Sequence, residues 1–497
     1  HGVSPDVASL VHLGTLLLGG ALQMLGFGRW MVPPAAWLAP VFLLHYAREA
    51  PLGGLVVLWL VLALAAGASN RGVIPLKGLG YGGVVAGITA AMTVPFLMDR
   101  LFAAQLAGVW STLVFPATWT AVGFLAARFN PFGTWGILAY TQHGIGPLMQ
   151  LASVTGIWGI DFLITWFAAV ANWAWDLHFD WSLIQNGVAF YGAVLGLVLV
   201  GGGLRLALAP HRATVRVAGL AWPEGAPESG EYERVFTAVL RQAIDDQVRE
   251  SMARLQEVFF ERTLREARAG ARIIVWAEAS VLVLKGDEEA LLRRARSLAQ
   301  ESNVYLLMGL AVLSPGADRP LENKAVFVSP AGEVMASYNK TMAVPGLERQ
   351  LMKPGTGRIP VVETPYGRVA SPICFDLDFP HLVRQVGVAG ADLLLVPAAD
   401  WEAITHLHQA MAEFRAVENG TGMVRVTRSG GSGAVDPYGR RCAFLDSFTT
   451  EDAVLVANVP VRAGSGTMYT RVGDLFAWLC VFGVAVLVVR AVAGILG

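Results

Sequence analysis

Apolar residues fall along this chain in two regimes. Up to about residue 208, and again from about 474, they come in long runs that charged residues rarely interrupt. A helix needs about 20 such residues to cross the hydrocarbon layer of a bilayer. The runs predict spans near 8–27, 33–48, 52–69, 78–98, 103–127, 156–175, 187–208 and 474–496. Between 213 and 460 the pattern changes to short strand-like runs alternating with helix-like stretches. Strands are predicted at 214–221, 272–278, 304–312, 323–329, 333–340, 368–375, 392–398, 422–427, 432–436 and 453–459. Helices are predicted at 231–269, 287–302, 379–389 and 403–418. Strands running into helices favour a sheet covered by helices. Two such layers back to back make an α/β/β/α sandwich. The predicted divisions are a membrane bundle of about seven spans over 1–210, an α/β domain over 211–466 and a last transmembrane helix over 467–497.

Composition sharpens this division. Of 497 residues, 54% are hydrophobic and only 15% charged, against about a quarter charged in soluble globular proteins. The net charge of −1 implies no basic face, so nucleic acid is not an expected partner. The three cysteines, Cys374, Cys442 and Cys480, show no Cys/His spacing of a zinc site. No metal and no cofactor is expected. Arg29, Arg48, Arg71, Lys77, Arg100, Arg128 and Arg212 scatter over both sets of loops, so charge alone does not orient the chain.

One stretch in the membrane part breaks the apolar pattern. Residues 128–147 hold Trp135, Tyr140, Gln142, His143, Gly144 and Gly146. Irregular backbone at membrane depth survives only where protein or a water-filled cavity satisfies it. Two readings fit: a mouth through which lipid reaches a site, or an interfacial loop with an aromatic belt. In the polar block, the charge pattern of 231–269 reads as a solvated helical face with i,i+4 pairs.

Three residues in the polar block carry chemistry. Glu278, Lys340 and Cys374 each end a strand-like run, after Ile273-Ile274-Val275-Trp276-Ala277, Val334 to Asn339, and Val369 to Ile373. A thiol attacks only as thiolate, with a free pKa near 8.5, so it needs a base and a cation beside it. A nucleophile where a strand meets a helix stands exposed with backbone N–H groups next to it.

The runs Trp276-Ala277-Glu278, Tyr338-Asn339-Lys340 and Cys374-Phe375-Asp376-Leu377-Asp378-Phe379-Pro380 together resemble the nitrilase, or carbon–nitrogen hydrolase, superfamily. Arg415 to Gly420, Ser429 to Ser432 and Asp436-Pro437-Tyr438-Gly439 add to the likeness. Lys340 to Glu348, and Pro147 to Leu163, resemble one branch of it: the apolipoprotein N-acyltransferase family of the bacterial inner membrane. This chain departs from that branch at Ala277, at Gly346-Leu347 and at Phe375-Asp376, and Asp400-Trp401 matches its aromatic segment only in part.

The resemblance implies a nitrilase-like catalytic domain on the periplasmic side of a multi-pass inner-membrane protein. It implies Glu278 as base, Lys340 and the Phe375 N–H as oxyanion donors, Cys374 as nucleophile and Glu348 as support for the lysine. Trp135, Tyr140, Gln142 and Trp401 become candidate substrate contacts. The implied partners are the membrane, a phosphatidylethanolamine-like acyl donor and a diacylated prolipoprotein acceptor. The alternative is a membrane-anchored amidohydrolase of the nitrilase type, in which water replaces the amine. A transporter or scaffold would draw on intramembrane ionisable residues such as His45 and Asp161.

Overall fold

A computed structural model describes residues 5–222, 227–450, 453–462, 464 and 466–496. The chain forms two compact units, one of residues 1–208 with 472–497 and one of residues 209–471.

The first unit is helical. Its long helices are Pro5–Leu25, Pro33–Glu49, Gly54–Ser69, Gly78–Phe102, Val114–Phe129, Ile157–Asp176, Trp181–Ala207 and Leu475–Leu496. Among the described residues five helical segments are long and apolar enough to cross a membrane: Gly78–Gln105, Gly108–Phe129, Ile157–Asp176, Trp181–Ala207 and Leu475–Ala493. The apolar helices Val11–Leu25 and Gly54–Ser69 are shorter. Helix Pro33–Glu49 carries His45, Arg48 and Glu49 in its last turns. The span expected from 103 instead begins with 3-10 turns over Ala103–Gln105 and Gly108–Leu113.

The polar stretch after residue 128 is irregular, as its glycines predict. It forms a 3-10 turn at Leu138–Gln142, then the single turns Gly146–Met149 and Ala152–Thr155. Its polar groups are satisfied internally. The Leu138 N–H donates to Asp161 Oδ1 at 2.9 Å, the Trp37 indole donates to Gln142 Oε1 at 2.9 Å, and Tyr140 and Thr134 share a hydroxyl bond of 2.7 Å. Buried backbone away from water needs such partners. Asp161 is thereby given a structural task at the start of the turn.

Among the described residues the second unit contains thirteen strands: β1 (Thr214–Leu220), β2 (Ile273–Trp276), β3 (Val281–Leu284), β4 (Tyr305–Leu313), β5 (Leu321–Val328), β6 (Val334–Asn339), β7 (Val361–Thr364), β8 (Gly367–Ala370), β9 (Leu393–Ala398), β10 (Gly422–Thr427), β11 (Gly431–Val435), β12 (Arg441–Asp446) and β13 (Val454–Pro460). One sheet runs β13-β1-β2-β4-β5-β6, with β3 paired to β4. The other runs β12-β11-β10-β9-β8-β7. Both are mixed, parallel in the middle and antiparallel at the edges. The parallel strands read as unbroken apolar runs because both their faces are covered.

Helices Asp246–Arg268 and Glu288–Ser302 pack on the first sheet, and Thr405–Asn419 on the second, which completes an α/β/β/α sandwich. The sheets meet closely: a Cβ on Gly219 of β1 would lie 2.4 Å from the Val426 side chain of β10.

Two expectations are corrected. The single helix expected over 231–269 is two, Pro227–Leu240 and Asp246–Arg268. Gln242 takes φ +58 between them, and the Asp245 carboxylate caps the second by accepting the Val248 N–H at 2.8 Å. The strand expected over 368–375 ends at Ala370. Pro372 has no N–H for the ladder, so Cys374 opens a 3-10 turn, Cys374–Asp378, rather than ending a strand. The short strands β3, β7 and β12 had not been expected; four to six residues give too few alternations to stand out.

Candidate active site

The three residues singled out in sequence are carried by three different strand ends. Glu278 follows β2, and its N–H donates to the Ala398 carbonyl at the end of β9, 3.2 Å away, across the two sheets. β4 backs this bend so closely that a Cβ on Gly309 would sit 2.1 Å from the Ala277 carbonyl. Lys340 follows β6, and its N–H donates to the Asn323 carbonyl of β5 at 2.8 Å. Cys374 follows β8 with φ +44. A left-handed conformation is uncommon for a side chain other than glycine, and it persists where the surroundings over-determine it.

Glu278 and Lys340 meet inside the domain, and both act electrostatically on Cys374. Lys340 Nζ donates to Glu278 Oε1 and to Glu348 Oε1, each at 2.7 Å. Asn323 Nδ2 donates to the same Glu278 oxygen at 2.7 Å. The other Glu348 oxygen accepts the Val344 N–H at 2.8 Å. That bond closes the segment from Lys340 to the helical turn Leu347–Leu351. Lys340 and Glu278 are almost fully buried, Glu348 less so.

Burial works against the Lys340 ammonium, but the two carboxylates outweigh it and hold the lysine well above its ordinary range. Burial, then the Glu278 carboxylate, push the Cys374 thiol well above the ordinary thiol range, while Lys340 pulls the other way. At neutral pH the resting site holds a thiol rather than a thiolate. Its Sγ lies 3.6 Å from the Ala399 carbonyl. Such a site can act as a nucleophile only if the proton leaves as the sulfur attacks. Phe375 is buried beside Cys374, its ring edge-on to Phe379 at 5.3 Å.

Comparison with known proteins bears on both units. Residues 243–465 match the carbon–nitrogen hydrolase family, and residues 19–170 match the apolipoprotein N-acyltransferase N-terminal domain. By the two matches together, the chain is similar to the apolipoprotein N-acyltransferase branch of the carbon–nitrogen hydrolase superfamily. An apolipoprotein N-acyltransferase of Geobacter metallireducens is 29% identical over 98% of this chain and 97% of its own length. One of Pseudomonas aeruginosa is 28% identical over 74% of this chain and 72% of its own. Among solved structures, an amidase from Nesterenkonia sp. is 22% identical and covers 51% of this chain and 93% of its own, with a TM-score of 0.40.

Further buried residues surround the cysteine. Asp376, two residues on, accepts the Met342 and Thr341 N–H groups on Oδ1 at 2.9 and 3.2 Å. Its Oδ2 accepts the Tyr338 hydroxyl at 2.9 Å and the Ile373 N–H at 3.0 Å. It thus pins the cysteine turn to the segment after Lys340, and burial pushes its carboxyl up to about 6.

Beneath the turn lies a second charged group. Arg425 of β10 holds both oxygens of Asp400, at 2.7 and 3.0 Å. His408 lies between Asp400 Oδ1, 2.8 Å from Nδ1, and Asp378 Oδ2, 3.1 Å from Nε2. Asp400 was visible next to Trp401; His408 and Arg425 reach it only through helix Thr405–Asn419 and β10.

A thiol, a carboxylate oxygen and an imidazole nitrogen of Cys374, Asp400 and His408 do lie within 4.8 Å of one another. Both His408 nitrogens face carboxylates and Asp400 is forked by Arg425, so this donor set is already engaged by protein charges. Trp401 packs edge-on to the His408 ring at 6.1 Å. Trp135, Tyr140 and Gln142 belong to the helical unit. There Trp135 packs on Phe132 at 5.2 Å and lines an apolar cavity of about 330 Å³ with Gly83, Gly87 and Trp119.

Proposed function

We propose that this membrane protein transfers an acyl chain from a phospholipid to the α-amino group of the diacylglyceryl cysteine at the N-terminus of an apolipoprotein. The observation that carries this is one buried ammonium held by two carboxylates beside a left-handed cysteine, in a chain whose other unit matches the apolipoprotein N-acyltransferase N-terminal domain. Glu278, Lys340 and Cys374 act together. As the Cys374 sulfur bonds to the ester carbonyl carbon, Glu278 takes its proton. The oxyanion that forms is met by Lys340, two of whose three N–H donors go to carboxylates, and by the Phe375 N–H. Losing one such donor typically costs about 10²–10³ in rate.

The C–O bond then breaks, the proton passes to the departing oxygen, and a lysophospholipid leaves. In the second half the α-amine attacks the thioester. Its proton passes through Glu278 to the sulfur, the C–S bond breaks, and the amide remains. Glu348 keeps the lysine charged and in place throughout. Membrane residence suits both substrates, because burial contributes about 0.8 kcal/mol per CH₂ and two-chain lipids do not leave the bilayer readily.

The donor is read as a phosphatidylethanolamine-like lipid and the acceptor as a diacylated prolipoprotein. The location is read as the bacterial inner membrane with the α/β unit on the periplasmic side. Incubation with phosphatidylethanolamine and a diacylated lipopeptide tests the reading by mass spectrometry. One added acyl chain on the peptide is the expected result. Free fatty acid with an unmodified peptide would favour the amidohydrolase alternative.

A further inference from the structure

Glu278 and Lys340 act on the thiol through their charges. Asp378, His408, Asp400 and Arg425 form a second buried cluster of side chains that the proposed chemistry leaves unused. Asp378 ends the same 3-10 turn that Cys374 opens. Asp400 follows β9, next to the Ala399 carbonyl that lies 3.6 Å from the sulfur. His408, in helix Thr405–Asn419, bridges the two carboxylates. Each of the four side chains is buried.

We propose that His408 is a positioning residue for the nucleophile: as an imidazolium it ties the Cys374 turn, through Asp378, to the segment after β9, through Asp400. Two physical arguments lead there. The left-handed backbone at Cys374 has to be over-determined by its neighbours. Asp376 supplies one tether, on the Lys340 side, and the Asp378–His408 contact supplies the other. The second argument is charge balance. The groups facing His408 are Asp378, Asp400 and, behind Asp400, Arg425, with Cys374 and the Trp401 ring beside them. With His408 protonated, two cations face two carboxylates. Without that proton the cluster carries an uncompensated buried negative charge within 4.8 Å of a sulfur that must itself give up its proton as it attacks. Burial disfavours the imidazolium, but the two carboxylates outweigh it and raise His408 to about 9, so the bridge is charged through neutral pH.

The inference rests on the thioester reading above. The test is the initial rate at which phosphatidylethanolamine places an acyl adduct on Cys374, followed by intact mass from pH 6 to 10 in detergent. The wild-type rate should fall with a basic limb near pH 9. His408→Gln should lower the maximal rate about 10²-fold, the scale for a small misplacement of a reacting group, with KM little changed and no limb near pH 9. Asp378→Asn leaves His408 one carboxylate and should move the limb to lower pH, and it carries the test if His408→Gln does not fold. A wild-type rate and limb in His408→Gln, or an unmoved limb in Asp378→Asn, would overturn the positioning role alone. No adduct on Cys374 in the wild-type protein would overturn the thioester reading and this inference with it.

Discussion

Each unit of this molecule holds a cation between two carboxylates. In the helical unit Arg48 Nε and Nη2 hold Asp99 at 2.8 and 3.0 Å, and Nη1 holds Asp176 at 2.8 Å. In the α/β unit Lys340 holds Glu278 and Glu348, both at 2.7 Å. The charges are the same and the settings are not. Arg48 pins the last turns of three helices, Pro33–Glu49, Gly78–Phe102 and Ile157–Asp176. Its planar fork is fixed by the bidentate pair, and a guanidinium stays protonated at any working pH. Lys340 is a compact point charge, and beside it stands a thiol whose own ionisation responds to both Lys340 and Glu278. An ion trio therefore says little about chemistry by itself. In the proposed reading, the adjacent thiol on a constrained turn, and donor capacity left on the cation, are what separate the candidate site from a clasp.

The sharpest way to break the contrast is Cys374→Ser. It should leave the fold intact and abolish the acyl adduct, read by intact mass after incubation with phosphatidylethanolamine. Any adduct at wild-type rate would put the nucleophile elsewhere. Lys340→Met comes next, because it strips the cation from two carboxylates at once. Removing one partner of a buried pair typically costs about 3–5 kcal/mol, so both thermal stability and adduct formation should collapse. Arg48→Met should destabilise by a similar or smaller amount, since Asp176 is partly exposed. Its adduct rate per folded molecule should stay near wild type. If both variants lose the adduct equally while folded, the clasp is part of the site. Glu278→Gln should be milder in stability, because Lys340 keeps Glu348. It should still slow the first half-reaction by about 10²–10⁴.

The same contrast governs what could be read from the sequence. The parallel strands of the sandwich were legible because unbroken apolar runs such as Leu393 to Ala398 have one explanation in a domain of this size. Glu278, Lys340 and Cys374 were legible because each closes such a run. The cysteine turn was not, since Pro372 leaves the strand ending at Ala370 while the apolar pattern runs on three residues to Ile373. His408 and Arg425 could not be found either: one sits in a helix and the other in a strand, and only the packing of that helix on that sheet brings them to Asp400. Asp161 was visible as an odd charge among apolar residues, but its partner, the Leu138 N–H, is a backbone group with no side-chain signature.

A final, smaller effect separates the two clasps by pH. In the α/β unit His408 is raised to about 9 from an ordinary 6.5 because Asp378 and Asp400 overcome burial. A raised folded-state value means that the stabilisation is fully present below about 6.5 and is lost as pH climbs through 9. For a fully buried group with this shift the contribution is on the order of 3 kcal/mol. Asp400 has the opposite sign: Arg425 and His408 outweigh burial and lower it to about 2, so its share is present above about 4 and lost only in strong acid. The guanidinium of Arg48 has nothing to lose between pH 6 and 10. Amide exchange should therefore accelerate in β9 and β10 between pH 7 and 10, after correction for intrinsic rates, while the ends of helices Pro33–Glu49 and Ile157–Asp176 keep their protection. In His408→Gln the alkaline loss should vanish, because the group that titrates is gone. Equal loosening of both regions in the wild-type protein, or an alkaline loss that survives His408→Gln, would mean that the histidine bridge does not set the stability of the turn beneath Cys374.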